Sequence, residues 1–270
     1  MTEREHRLYQ EILSANVPVG NLIDAFEDVL RRRSVSTEAA PFYEIPQQWQ
    51  SPGEEKRRRY AQVIQTLFEH CTDDTILDAI NLAHKEELAR RIWVLLHSDD
   101  IDFARVEQLL DDFCRLPVGE SQISENIAIG IRVYLINHLI SENLFYIGVA
   151  KNYINMRDLN LLLQRFIGRT GSNSRIGGKS AGVILANRIV RPTLGEPTGV
   201  EDSLEEVPSY FLTSHVFNRF IEYNGLEDVH GLKYLSHEEI SRREPAIRQR
   251  FLDGSFPEDL QRRFREILQE

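Results

Sequence analysis

The chain has 270 residues, 41% of them hydrophobic and 27% charged, with 42 acidic against 32 basic side chains and a formal net charge of −10. That is the make-up of a globular protein with room for two modest domains. The apolar stretch Val133 to Ser141 is closed by Arg132 and Glu142 and is too short to cross a bilayer, and the opening Met1-Thr2-Glu3-Arg4-Glu5-His6 is polar, which predicts a cytoplasmic protein without a secretory signal.

From the first residue the pattern is helical. Leu8, Ile12, Leu22, Ile23, Phe26, Val29 and Leu30 predict two helical pieces, broken near Val17-Pro18-Val19-Gly20 and ending before Arg31-Arg32-Arg33. A linker with Pro41, Pro46, Pro52 and Gly53 follows. Apolar residues recurring at three and four predict further helices over Glu54 to His70, Asp73 to Leu96, Asp102 to Cys114 and Ser124 to Val149, with Pro117-Val118-Gly119 breaking the chain before the last. No fixed-period repeat is present, which argues against a solenoid. Leu159, Leu162, Leu163 and Phe166 predict one more helix over Arg157 to Ile167.

Several residue groups invite a function and fail on spacing. The basic runs Arg31-Arg32-Arg33 and Lys56-Arg57-Arg58-Arg59 lack any recognition-helix or RNA-binding signature, so they read as solvated or domain-docking faces and no nucleic-acid partner is expected. The eight histidines include no His-x-x-x-His pair and no metal site is expected; His138 reads as an interior residue of an apolar helix. Cys71 and Cys114 have no partner motif and read as reduced, partly buried thiols. Glu201-Asp202 and Glu205-Glu206 fall in a connector from Thr193 to Glu206.

The stretch with chemistry in it is Ser174-Arg175-Ile176-Gly177-Gly178-Lys179-Ser180-Ala181-Gly182, which opens into the apolar run Val183-Ile184-Leu185-Ala186. Glycines allow close backbone approach, free N–H groups at a helix start point at negative charge, and a lysine adds a mobile cation, so the expected guest is a phosphate. Charge supports this: Lys151 to Arg191 carries eight basic residues against Asp158 alone, a local balance of +7 that leaves −17 for the rest of the chain. The competing reading is a P-loop, G-x-x-x-x-G-K-[ST]. It fails at its first glycine, because position 173 is Asn173, and the helical pattern of Arg157 to Ile167 leaves no strand before the turn.

The order of motifs resembles the nucleotide-binding domain of the phosphoenolpyruvate synthase and pyruvate phosphate dikinase family. Gly177-Gly178-Lys179 stands where that family's turn begins, followed by a strand-like Val207-Pro208-Ser209-Tyr210-Phe211-Leu212-Thr213-Ser214 and a helix with Phe217 and Phe220. Ala150 to Ile154, Phe220 to Asp228 and Lys233-Tyr234 complete the likeness, which covers Ile123 to Glu270 and fades toward Met1. Thr213-Ser214-His215 only echoes the family's phosphohistidine setting, and Thr213 or Ser214 is expected to cap the following helix.

The resemblance implies a mainly α chain with a small α+β part: a helical N-terminal domain over 1–150 and the incomplete beginning of an ATP-grasp domain over 151–270. It implies the N-terminal fragment of an ATP-dependent phosphotransferase that makes phosphoenolpyruvate from pyruvate through a phosphohistidine. Lys179 would contact ATP phosphates, helped by the N–H groups of Gly177, Gly178 and Ser180. Magnesium is expected, with its ligands outside this chain. The expected partners are ATP, the remaining domains and a second copy, without a membrane. The alternative is a non-catalytic helical interaction or regulatory module that keeps a vestigial nucleotide turn.

Overall fold

The structure is a computed structural model and describes residues 2–15, 17–35, 53–99, 101–117, 123–168, 175–193 and 209–269. The proline-rich linker before Gly53 and the acidic connector after Thr193 lie outside the described residues. The chain divides into two compact units, Met1–Ser98 with Ala104–Ile131, and Asp99–Phe103 with Arg132–Glu270.

The first unit is helical because its apolar residues sit on stripes and its caps are well formed. Thr2 and Glu5 make a capping box for α1 (Glu3–Ser14), and Pro18 precedes α2 (Val19–Arg32). α2 continues through Arg31 and Arg32 rather than stopping before them, since both face solvent and Arg31 pairs with Asp28 one turn back at 2.7 Å. α3 (Glu54–His70) and α4 (Asp73–Leu96) keep the predicted bounds, and α5 spans Phe103–Arg115. Leu22, Phe26, Leu67 and Ile76 pack into one core. The basic runs are drawn into this unit's own contacts: Arg59 forks onto Glu27 and Arg33 donates to Thr75. Cys71 is buried and Cys114 half-buried, neither of them in a disulfide, and burial pushes the Cys71 thiol up from its ordinary pKa.

Ser124 to Val149 is not the single helix its periodicity predicts. α6 (Glu125–Leu135) passes into a five-residue π-helix, Ile136–Ile140, and α7 (Leu144–Ala150) starts afresh. Polar side chains make the break. Ser141 is extended, its hydroxyl accepts from the Asn143 N–H at 3.2 Å, and the Asn143 amide oxygen caps α7 through the Tyr146 N–H at 3.1 Å.

The rest of the second unit holds the sheet. α8 (Met156–Gln164), opened by an Asn155–Asp158 capping box, ends earlier than predicted, and Phe166–Ile167 form strand β1 instead of its last turn. β1 pairs in parallel with β2 (Phe211–Leu212), Phe166 opposite Phe211 and Ile167 opposite Leu212. Of the strand-like segment Val207 to Ser214, only these two residues pair; Val207 and Pro208 lie outside the described residues, and Ser214 already belongs to α10 (Ser214–Tyr223). A 3₁₀ turn (Glu227–Tyr234), α11 (His237–Asp253) and α12 (Glu258–Ile267) complete the unit. Ile167, Val216 and Leu260 form one small core; Phe220, Ile221 and Leu226 form another, under Phe251 and Phe256. Among the described residues the chain is mainly α with one minimal parallel pair.

Candidate functional site

Two parallel strands require a crossover, and here it contains α9 (Gly178–Thr193). The order β1, glycine turn, α9, β2 therefore puts the turn between the carboxyl end of a strand and the start of a helix. That is where phosphate groups settle in α/β units. The helical reading of Phe166 and Ile167 is thus corrected, and a strand does precede the turn; the P-loop spacing still fails at Asn173.

The exit from β1 is fixed by Gly168 and Thr213. Gly168 has φ of +76°, and a Cβ there would stand 2.1 Å from Val216 Cγ2, so only glycine fits. Thr213 occupies the N-cap position of α10 but makes no capping bond; its buried hydroxyl instead donates to Gly168 O at 2.6 Å. The expected cap is replaced by a tie across the strand ends.

Gly177 and Gly178 are different. Neither has a positive φ, and no described atom lies within 4 Å of where a Cβ would stand on either. Gly177, Gly178 and Lys179 are exposed and Ser180 is half-buried. Gly177 O accepts the first helical bond from Ala181 N at 3.1 Å, while the N–H groups of Gly177, Gly178, Lys179 and Ser180 donate to no described group. Lys179 makes no ion pair with any described residue. All four predicted phosphate-binding residues therefore stand at one helix start, with their donors unspent on any described group.

The basic island around them is less free than its composition suggests. Arg175 Nε donates to Asn137 O at 2.8 Å, and its Nη1 lies 3.0 Å from a Glu142 carboxylate oxygen. Arg188 lies 3.2 Å from Asp158. Lys151 and Arg157 make no ion pair with a described residue, and Arg169 lies outside the described residues. Beside the turn runs an open groove of about 800 Å³ lined by Arg175, Gly177, Thr213, Phe217, Phe251 and Phe256, with Phe217 51% exposed.

Three contributors carried no sequence signal. Asn137 and Leu139 act through main-chain carbonyls exposed by the π-helix, and Tyr146 donates its hydroxyl to Ala181 O at 2.9 Å. Burial pushes the Tyr146 phenol up to about 12, so it remains a protonated donor at neutral pH. His138 is half-buried and stacks on Tyr134 with ring centroids 4.3 Å apart. No group of three or more histidine, cysteine or carboxylate side chains is placed to hold a metal among the described residues. Nor does any described helix have the length and apolarity to cross a membrane.

Residues 173–270 match the family model described as pyruvate phosphate dikinase, AMP/ATP-binding domain. Neither a curated protein nor a solved structure matches the chain. The match begins two residues before Arg175 and takes in the glycine turn, α9, β2 and everything after them. This part of the chain is similar to the pyruvate phosphate dikinase AMP/ATP-binding domain.

Proposed function

We propose that the second unit contributes the phosphate-binding turn of an ATP-grasp-like domain in a phosphotransferase of the phosphoenolpyruvate synthase type. The carrying observation is the contrast among glycines: Gly168 is demanded by its own fold, whereas a Cβ at Gly177 or Gly178 would meet no described atom within 4 Å. Gly178, the first helical residue, gives up at most roughly 1 kcal/mol against alanine, while Gly177 stands at the N-cap, where glycine is favoured over alanine. Close approach of a ligand to the backbone accounts for keeping them.

In this reading the N–H groups of Gly177, Gly178 and Ser180 and the Nζ of Lys179 gather the phosphate oxygens of ATP. Phosphoryl transfer is dominated by positioning and charge neutralisation, and a mobile exposed lysine above a helix N-terminus supplies both. Magnesium would accompany the nucleotide, but no described carboxylate cluster fits it and no step is assigned to it. Pyruvate is the acceptor that the family suggests, reached through a phosphohistidine that no residue of this chain is assigned to be. The natural partners are ATP and the remaining domains of a longer cytoplasmic polypeptide, for which the rings of Phe217 and Phe251 offer an apolar face.

The test is ATP titration of the folded chain, followed by amide chemical shifts and calorimetry. Lys179→Ala removes a charge-assisted contact worth about 1.5–3 kcal/mol, so affinity should fall roughly ten- to hundredfold. Gly178→Val should be at least as harmful, and Lys151→Ala should change little. If both site variants remain folded and bind ATP as the wild type does, the turn is not a phosphate site.

A further inference from the structure

The glycine turn is held by a segment that precedes the matched family domain. The reason starts in the backbone of Ile136–Ile140, where the Ser141 N–H reaches back five residues to Ile136 O at 2.9 Å and closes the π-helix. A helix end leaves its last carbonyls without helical partners. The chain arriving from residue 175 uses two of them. Arg175 Nε donates to Asn137 O at 2.8 Å and Ile176 N–H to Leu139 O at 3.2 Å, while Glu142 pairs with the guanidinium at 3.0 Å. The carbonyl of Arg175 in turn accepts from Ser214 N–H at 3.1 Å, and the Ile176 side chain is buried. Past the glycines, the Tyr146 hydroxyl fastens the first turn of α9 at Ala181 O.

The exposed residues Gly177, Gly178 and Lys179 and half-buried Ser180 are thus bracketed by Ile176 and Ala181, both buried and both tied to the π-helix or α7. Glycine pairs are the most mobile backbone there is, and a mobile turn loses conformational entropy each time it closes on an anion. Anchors on both sides remove much of that loss in advance.

We propose that Arg175 and Tyr146 are positioning residues for phosphate binding, acting through a clamp built from the π-helix and α7. The proposal rests on the phosphate reading above. It takes Arg175 out of the set of phosphate ligands despite its place in the basic island, because its Nε and Nη1 are committed to Asn137 and Glu142. Residues 136–146, outside the family match, become part of the site.

Arg175→Lys, Tyr146→Phe and Lys179→Ala of the whole chain separate these roles, with ATP as the probe and amide hydrogen exchange at Ile176 and Ala181 as the second readout. Arg175→Lys keeps the charge but loses the fork. Tyr146→Phe loses one hydrogen bond and no charge. Each should weaken ATP binding by roughly three- to tenfold, the loss expected for one hydrogen bond, and should speed exchange at Ile176 and Ala181. Tyr146→Phe should leave the salt dependence of binding unchanged. Lys179→Ala should flatten that dependence and leave the exchange rates alone.

If ATP is bound through Lys179 but is indifferent to Arg175→Lys and Tyr146→Phe, the positioning role is overturned and the phosphate site stands. Faster exchange without weaker binding makes the two residues structural and overturns it as well. A wild-type turn whose amides do not respond to ATP sinks the phosphate reading and the positioning role together.

Discussion

Gly168, Gly177 and Gly178 are one residue type in the sequence and two kinds of residue in the fold. Gly168 combines a left-handed backbone with a neighbour, Val216, that leaves no space for a methyl group. Gly168→Ala should therefore destabilise the second unit by about 1–3 kcal/mol, through backbone strain and overpacking. Gly178→Ala should leave stability unchanged or raise it by up to about 1 kcal/mol, since it opens a helix in open space, and yet weaken ATP binding. Thermal unfolding and ATP titration of the two variants decide the matter, and a destabilised Gly178→Ala would show that the glycine serves the fold. The turn was legible in the sequence because glycine next to lysine is a local signal. It marked Arg175 as one more cation because a charge count carries no information about the Asn137 carbonyl that occupies it.

At the scale of elements, legibility follows the length of the pattern. α3 and α4 run 17 and 24 residues and could be bounded from periodicity alone. The two-residue β1 could not, because Phe166 and Ile167 continue the apolar spacing of α8 and their strand character comes from Phe211 and Leu212, far along the chain. The same non-local pairing explains Thr213. Its position is that of a cap, but the carbonyl of Gly168 at 2.6 Å captures the hydroxyl. Thr213→Val is nearly isosteric and leaves the Gly168 and Ile167 carbonyls without that donor, so it should cost about 1–2 kcal/mol in chemical denaturation. Thr213→Ser, which restores the hydroxyl, should recover most of it. Equal losses in the two variants would mean that the methyl packing, and not the tie between strand ends, carries the effect.

For the molecule as a whole, the family match and the proposed phosphate turn lie in the second unit, while the first is a helical body with its own core of Leu22, Phe26, Leu67 and Ile76. Leu67 and Ile221 lie in different cores of different units, and exchange protection follows the contacts that each cooperative unit must break. Leu67 and Ile221 are both 0% exposed, one in each unit. Truncating either to alanine removes a similar volume and should cost about 2–5 kcal/mol where the cavity forms. Hydrogen exchange read by mass spectrometry should then show Leu67→Ala losing protection across α1 to α4 with α10 to α12 unchanged, and Ile221→Ala the reverse. ATP binding should fall in Ile221→Ala and persist in Leu67→Ala, because the turn shares its unit with Ile221. Loss of protection in both units from either substitution would show one cooperative molecule, in which the helical body stabilises the nucleotide site as a whole.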